Sequence, residues 1–456
     1  FWQTRDAYHT YDEIISIMDS LAEALPNLVM KTVYGTSVGG RELSALKISD
    51  NVTTDETEAE IGFDGNIHGD EIGGGENMIR FARWLCQQYG NNPQITELIN
   101  TREIWIYPLA NPDGRVGMTR YNNNGVDLNR DWGLNWNGEG NSPGPYSQPE
   151  TKALRQMVLD NQFTIHMTFH SGVVVYLHPW YFYEVPSPDV DEEEMLADMY
   201  ASTSGYSNLE TGPGTSLYPT TGSTAESYYG VKGSHGIVME LSNDKQPPAS
   251  QIGYYFDINL QPCINLIDYA GYGLQGMVTD AQTGDPVAAV IYVGDNMTCF
   301  NDPEIGDYHK LVVGGTYTVK VKANGYQTQL ISNVIIEDLA ATTLDIQLEA
   351  EEHQSIYQVC SSQRPTANSL HEQPSWQVIG PPDNLYYSLA KNGWIVVDMF
   401  QLVLDGAGSD IIVFEGDAAA EGFELFAGSS IDGPWVSLGQ GNGTSEFDLA
   451  NSTISE

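Results

Sequence analysis

The chain has 456 residues, of which 61 are acidic and 19 are basic, so its formal net charge at pH 7 is −42. This charge argues against nucleic acid and anionic membranes as partners, and a hydrophobic content of 41 % argues against a disordered chain. Because a single core rarely extends beyond about 250–300 residues, the length predicts two or three domains.

The first 272 residues alternate helical and strand patterns. In chain order, helical spacing of apolar residues covers 8–26, 76–90, 147–161, 189–203 and 256–273, and strand patterns cover 43–49, 60–69, 103–111, 164–171 and 235–242. The alternation predicts an α/β domain with a mixed, mainly parallel sheet between flanking helices. Functional sites in such sheets lie at the carboxyl ends of the strands.

The pattern changes after this region. Short strands separated by Gly, Asp and Asn turns follow from residue 274, which predicts a small β-sandwich, and a second all-β segment follows a polar link. We therefore divide the chain into domains at 1–272, 273–350 and 351–456, and leave open whether the last one is truncated.

The sequence also bears on where the protein works. No stretch reaches the about 18 consecutive apolar residues of a membrane span, and the chain starts at Phe1 rather than at Met. We expect a secreted or periplasmic protein without its signal peptide, and a monomer. The four cysteines lack metal-binding spacing, and in an exported chain they allow two disulfides, for which we favour Cys86–Cys263 and Cys299–Cys360.

The segment GNIHGDEIGGGEN at 65–77 places His68 and Glu71 three residues apart, between a predicted strand and a predicted helix. A catalytic zinc commonly takes three protein ligands and keeps one position open. His170 is the candidate for the third ligand, because it ends the strand pattern TIHMTFH. The glycines would let the chain turn sharply after the strand that precedes His68. A turn that contains a histidine by chance is the alternative, since His9 and Asp12 show the same spacing.

A second polar stretch, MTRYNNNGVDLNRDW at 118–132, contains two arginines and several asparagines. Arginine binds carboxylates through paired hydrogen bonds and stays charged at any relevant pH. Taken alone, the stretch is equally well explained as a solvated loop.

Taken together, these motifs resemble the zinc metallocarboxypeptidases, and more narrowly their carboxypeptidase D/E/N branch, in which a transthyretin-like domain follows the catalytic domain. The resemblance covers about residues 8–349, and its motifs are HGDE at 68–71, NPDG at 111–114, Arg120, GVDLNR at 125–130 and FHSG at 169–172. The family further implies a tyrosine in a loop and a catalytic glutamate 22 positions later. Tyr218 and Glu240 meet that requirement.

The resemblance implies a zinc exopeptidase that removes the last residue of peptides and proteins. One Zn²⁺ would be bound by His68, Glu71 and His170, with Asp127 accepting a hydrogen bond from the other nitrogen of His68. Glu240 would act as general base and Arg120 would stabilise the oxyanion. The substrate carboxylate would be held by Asn129, Arg130 and Tyr218.

Ala225 stands at the family's specificity position, seven residues after Tyr218 and next to Glu226. The resemblance implies an acidic residue there in members that prefer Lys or Arg, so Ala225 favours apolar C-terminal residues slightly over basic ones. Other interpretations stay open at this stage. They are a cell-wall peptide hydrolase, a deacylase and a non-catalytic peptide-binding module on the same fold.

Overall fold

The structure is a computed structural model. It describes residues 7–351, 356–363, 378, 389, 392–400, 403–404, 408–414 and 422–451. In the predicted third domain, most of the segment 364–391 therefore lies outside the described residues. In the part that is described, no helix is long and apolar enough to cross a membrane.

An eight-stranded mixed sheet forms the centre of the amino-terminal part. Its strands are β1 (Val29–Thr36), β2 (Glu42–Ile48), β3 (Ala59–Gly65), β4 (Arg102–Tyr107), β5 (Phe163–His170), β6 (Val174–His178), β7 (Glu210–Pro213) and β8 (His235–Leu241). They are ordered β1-β2-β4-β3-β5-β8-β6-β7, and β4, β3, β5 and β8 run parallel to one another. Every residue of β3 and β5 is buried, as expected for parallel strands covered on both faces.

Helices cover this sheet. They are α1 (Tyr11–Ala24), α2 (Ile72–Gln88), α3 (Pro93–Ile99), α4 (Pro112–Gly117), α5 (Pro149–Asp160), α6 (Val190–Thr203), α7 (Thr224–Ser227) and α8 (Ile252–Tyr269). The first helix shows why they form where they do. Thr10 and Glu13 make a reciprocal capping box at its start, and Ile14, Met18 and Leu21 bury one face at helical spacing. The predicted α/β class is confirmed.

The segment after the sheet forms a β-sandwich with its own core. One sheet contains β10 (Ala289–Val293), β11 (Cys299–Phe300), β13 (Gly315–Ala323) and β14 (Gln329–Ile336). The other contains β9 (Gly273–Asp280), β12 (Asp307–Lys310) and β15 (Ala341–Thr343), with β16 (Ile346–Leu348) paired to β9. Further two-stranded pieces follow between Gln358 and Phe447. The boundaries at 272 and 350 stay predictions.

The sandwich is bonded directly to the start of α6. The buried Lys310 ammonium lies 2.7 Å from the Asp189 carboxylate, whose other oxygen accepts from the Met297 amide at 3.0 Å. Glu192 accepts from the Asn296 side chain at 3.0 Å. Acids at this helix start therefore anchor the neighbouring sandwich, in addition to interacting favourably with the helix dipole.

The structure does not contain the disulfides that we favoured. Cys86, Cys263, Cys299 and Cys360 are all free thiols. Burial raises the pKa of Cys86 to about 12. Burial also raises the pKa of the Cys263 thiol, and the neighbouring Tyr200 opposes the rise. These cysteines are small apolar core residues here, which an even count could not distinguish from disulfide partners.

Candidate active site

Three adjacent parallel strands bring the predicted residues together. His68 follows the end of β3, His170 is the last residue of β5, and Glu240 is the penultimate residue of β8. His170 and Glu240 are direct neighbours in the β5–β8 register. The site thus lies at the carboxyl edge of the sheet, where the α/β pattern places it.

The glycines around His68 work differently from our prediction. None of the four at positions 69, 73, 74 and 75 has a positive φ, whereas Asn66 does, at +58°. A Cβ on Gly69 would lie 1.9 Å from the Gly114 carbonyl carbon, and one on Gly74 would lie 2.7 Å from the Phe169 oxygen. The glycines therefore permit close packing of the loop and of α2, while Asn66 makes the turn.

Two histidines and one carboxylate converge on one point. His68 Nδ1 lies 3.0 Å from Glu71 Oε1 and 3.1 Å from His170 Nδ1, and His170 Nδ1 lies 2.9 Å from Glu71 Oε2. The exposed fractions of these residues are only 2–4 %. Burial opposes ionisation of Glu71, but the two imidazoles hold its pKa well below the usual range.

This donor set fits a zinc ion. The carboxylate of Asp127 lies 3.2 Å from His68 Nε2 and, when ionised, can only accept, so the ring proton lies on Nε2. The Nδ1 lone pair of His68 then faces the other two ligand atoms. Two imidazole nitrogens and a carboxylate are a common ligand set for catalytic zinc.

Asp127 connects the histidine to an arginine. Its Oδ2 accepts from Arg120 Nε at 2.7 Å, and its Oδ1 accepts from the backbone amide of Asn129 at 3.0 Å. Burial would raise the pKa of Asp127, but the neighbouring His68 and Arg120 hold it below the usual range. Asp127 is therefore ionised and holds both the His68 ring and the Arg120 guanidinium in place.

Glu240 has the environment of a proton acceptor. Its Oε2 is buried and has no hydrogen-bond partner. Burial raises the pKa of this carboxyl to about 7, while the nearby His170 opposes the rise. A cation bound between the histidines would favour the ionised form further.

Arg120 lies beside the predicted ligand His68, and the predicted carboxylate-binding residue Asn129 is bonded to the start of α7. Arg120 is about one quarter exposed, and its guanidinium donates to His68 Nδ1 at 3.2 Å. Asn129 accepts from the backbone and the hydroxyl of Thr224, at 2.9 and 3.0 Å. Arg130 donates to the Asn129 carbonyl at 2.7 Å.

Tyr218 is 51 % exposed in the loop before α7. It lies near enough to Arg120 to contribute to the raised pKa of that guanidinium, although burial opposes the rise and Asp127 is the main cause of it.

Ala225, at the predicted specificity position, is fully buried within an apolar cluster that includes Val175, Leu177 and Val238. The adjacent Glu226 is also fully buried, and it accepts from the Tyr181 amide at 2.6 Å. Burial raises the pKa of Glu226 to about 8. This acid is therefore largely neutral at pH 7.

Sequence reasoning missed Lys245. Its ammonium lies 3.0 Å from Asp70 Oδ2 and 3.4 Å from Glu71 Oε1, so it adds positive charge beside the predicted ligands. Ser171 was noted only as part of the FHSG motif, and its backbone amide donates to Glu71 Oε2 at 3.2 Å. Nothing in the local sequence separates Lys245 from other lysines, because only the fold brings it to Glu71.

Comparisons with known proteins show the family of the chain. Residues 14–261 match the family profile described as zinc carboxypeptidase. Carboxypeptidase SOL1 of Arabidopsis thaliana is 31 % identical over 342 residues, which cover 71 % of this chain and 68 % of that protein. The carboxypeptidase N catalytic chain of Mus musculus is 28 % identical over 399 residues, covering 76 % and 87 %.

Solved structures show the same fold. The thrombin activatable fibrinolysis inhibitor superposes with a TM-score of 0.53 at 22 % identity, over 58 % of this chain and 75 % of that one. Carboxypeptidase A from Helicoverpa armigera gives 0.52 at 20 % identity, over 58 % and 74 %. The chain therefore belongs to the zinc carboxypeptidase family, whose members are hydrolases of the exopeptidase type, and within it to the branch of carboxypeptidases D and N.

Proposed function

We propose that the protein is a zinc-dependent carboxypeptidase that releases the C-terminal residue of peptides and proteins. The observation that carries this proposal is the convergence of two imidazoles and a carboxylate at the ends of β3 and β5, with a buried, unpartnered glutamate oxygen on the neighbouring β8. Membership of the zinc carboxypeptidase family supports the same reaction.

One Zn²⁺ would be held by His68, Glu71 and His170. When bound, zinc supplies Lewis-acid polarisation and makes water nucleophilic near neutral pH. Asp127 keeps the proton of His68 on Nε2, and so leaves Nδ1 available as a ligand atom. Its bond to Arg120 holds that guanidinium beside the site.

Glu240 is proposed as the general base. Its free Oε2 takes a proton from the attacking water and later returns it to the leaving amine nitrogen. Burial raises the pKa of this carboxyl above that of an exposed glutamate, which makes its ionised form a stronger proton acceptor. Arg120 donates to the scissile carbonyl oxygen as negative charge develops there.

Selection for chain ends is assigned to Asn129, Arg130 and Tyr218. The Asn129 side chain is held by Thr224 of α7, and the Arg130 side chain is held by the backbone carbonyl of Asn129. These bonds keep both side chains oriented towards a substrate carboxylate. An internal peptide bond offers no such charge. The requirement for a free carboxylate argues against a deacylase and makes the enzyme an exopeptidase.

We propose a preference for apolar C-terminal residues. Ala225 lies in an apolar cluster, and the neighbouring Glu226 is buried, engaged by a backbone amide and largely neutral at pH 7. No ionised acid at this position would then pair with a Lys or Arg side chain.

The remaining expectations are also proposals. The strongly acidic composition supports a secreted or periplasmic, monomeric protein. The sandwich at 273–350 is proposed to be the transthyretin-like domain of the branch, with the role of supporting the catalytic domain through Lys310 and Asp189.

The direct test is steady-state hydrolysis of N-blocked dipeptides that end in Phe, Leu, Arg, Lys or Glu. Each is assayed with and without a zinc chelator, and the Phe substrate is also assayed as its C-terminal amide. We expect chelator-sensitive release of Phe and Leu, and no turnover of the amide. Cleavage of the amide at a similar rate would reject the carboxylate requirement. If cell-wall peptides assayed in parallel are cleaved and the dipeptides are not, the protein is a cell-wall hydrolase. Zinc binding without turnover of any substrate would indicate a binding module.

A further inference from the structure

A second group of carboxylates lies at the opposite edge of the central sheet. Glu60 and Glu103 are the second residues of β3 and β4 and are direct partners in their parallel register. Asp55 lies in the loop that leads into β3. Each of the three residues offers an oxygen atom, and these atoms all lie within 4.8 Å of one another. This group has no part in the active site at the carboxyl edge.

One buried oxygen in the group lacks a partner. Glu103 is only 1 % exposed, and its Oε1 accepts from the Lys47 ammonium at 2.6 Å and from the Glu56 amide at 3.2 Å. Its Oε2 is buried without any hydrogen bond. An unsatisfied carboxylate oxygen in this position is costly unless something positive binds to it.

The local charge is not balanced by the protein. Among the described residues, Lys47 makes the ion-pair contact with these three carboxylates and Lys232 lies near Glu60, so the ionised group keeps an excess of negative charge. Burial, together with acids of the sandwich such as Asp302, raises the pKa of Asp55 to about 6. Burial likewise raises the pKa of Glu103 to about 7. Without a further cation these acids resist ionisation.

We propose that Asp55, Glu60 and Glu103 bind one calcium ion. All of the ligand atoms are oxygens, which Ca²⁺ prefers, and two oxygens that share one Ca²⁺ at about 2.4 Å lie at most about 4.8 Å apart. Asp55 is exposed, so water can complete the six to eight ligands that Ca²⁺ takes. A divalent charge would also offset the excess of negative charge that ionisation of these acids creates.

The expected consequence is structural. The ion would tie the loop before β3 to two central strands, and it would weaken the repulsion between Asp55 and the acids at 302–307 of the sandwich. Because the site lies at the far edge of the sheet, calcium should stabilise the fold without entering the hydrolytic reaction. The proposal is thus independent of the proposed function.

The test is calorimetric titration of zinc-loaded, calcium-free full-length protein with CaCl₂, together with the melting temperature. We expect one saturable site and, at a hundredfold excess over Kd, a rise in Tm of roughly 4 °C. Asp55→Asn and Glu103→Gln should lose both effects. Glu97→Gln, which removes an exposed acid on α3, should keep both.

Two results would overturn the proposal. The first is absence of binding heat and of any Tm change in the unaltered protein at millimolar calcium. The second is weak binding at several sites that Asp55→Asn leaves unchanged, which would reflect the acidic surface in general. If Glu103→Gln does not fold, Asp55→Asn still decides, because its side chain is exposed and its loss should leave the fold intact.

Discussion

Replacing Asp127 by Asn tests how far zinc binding depends on a residue that is not itself a proposed ligand. The change conserves shape but removes the charge. One carboxylate oxygen becomes an NH₂ group, and whichever way the amide is turned, it meets a donor, either Arg120 Nε or His68 Nε2. The variant therefore loses at least one charge-assisted hydrogen bond, and the tautomer of His68 is no longer fixed.

The structure sets the size of the effect. Loss of a hydrogen-bonded carboxylate behind a ligating histidine typically lowers metal affinity by about 10–100-fold. Loss of the Asp127–Arg120 ion pair should also lower the free energy of unfolding by about 2 kcal/mol. This figure allows for solvent screening of the pair, because Arg120 is about one quarter exposed. Competition against a chromogenic zinc chelator measures the first quantity, and urea unfolding of the zinc-free protein measures the second.

Asp113→Asn is a matched control. Asp113 is buried and bonded at 2.6 Å to Arg41, which is 29 % exposed, but its partners lie in the β1–β2 loop. We expect a similar loss of stability with unchanged zinc affinity. Equal zinc affinity in Asp127→Asn and in the unaltered protein would refute the reasoning, as would an equal loss of affinity in Asp113→Asn.

Three further predictions concern catalysis, pH and packing. Glu240→Gln should lower kcat by about 10²–10⁴-fold while leaving zinc binding intact, and a near-normal rate would remove Glu240 from the role of base. Because Glu226 is protonated more readily in the native state, with a pKa of about 8 against 4.5, stability should fall as pH rises from about 5 to 8. Glu226→Gln should flatten this fall in Tm, and an unchanged pH profile would contradict the assigned protonation. Gly69→Ala should lower the free energy of unfolding by more than about 3 kcal/mol, since its Cβ would overlap the Gly114 backbone. Gly253→Ala, with open space around its Cβ, should be neutral or stabilising by about 0.5–1 kcal/mol. Equal stability of the two variants would refute the packing role of Gly69.

Much of the fold could be predicted because its central strands and amphipathic helices have strong local patterns. The segment TIHMTFH is apolar, β-branched and bounded by a turn, and it forms β5. By contrast, β1 was missed, because its burial is only partial and its pairing is interrupted near Gly35. Helix α2 starts at Ile72, whereas the sequence predicted a start at Glu76. The three glycines of its first turn have low helix propensity, so that turn was not predicted as helical.

The site was predictable only in part for a similar reason. His68, Glu71 and His170 could be proposed from strand ends and spacing, but Glu240, Tyr218 and the residues of 120–130 entered through the family resemblance. Lys245 and the carboxylates at the amino edge gave no local signal. Their roles depend on which strands are neighbours, and strand order is a property of the whole fold.

The most direct test of the account is a zinc titration of the metal-free protein, with hydrolysis of an N-blocked dipeptide ending in Phe as the readout. We expect no activity at the start, a linear rise with added zinc, and a plateau at one zinc per chain. His170→Ala should show no such rise, because it removes one of the three proposed ligands. Activity in the metal-free protein, or an unchanged titration in His170→Ala, would contradict the assignment of this site.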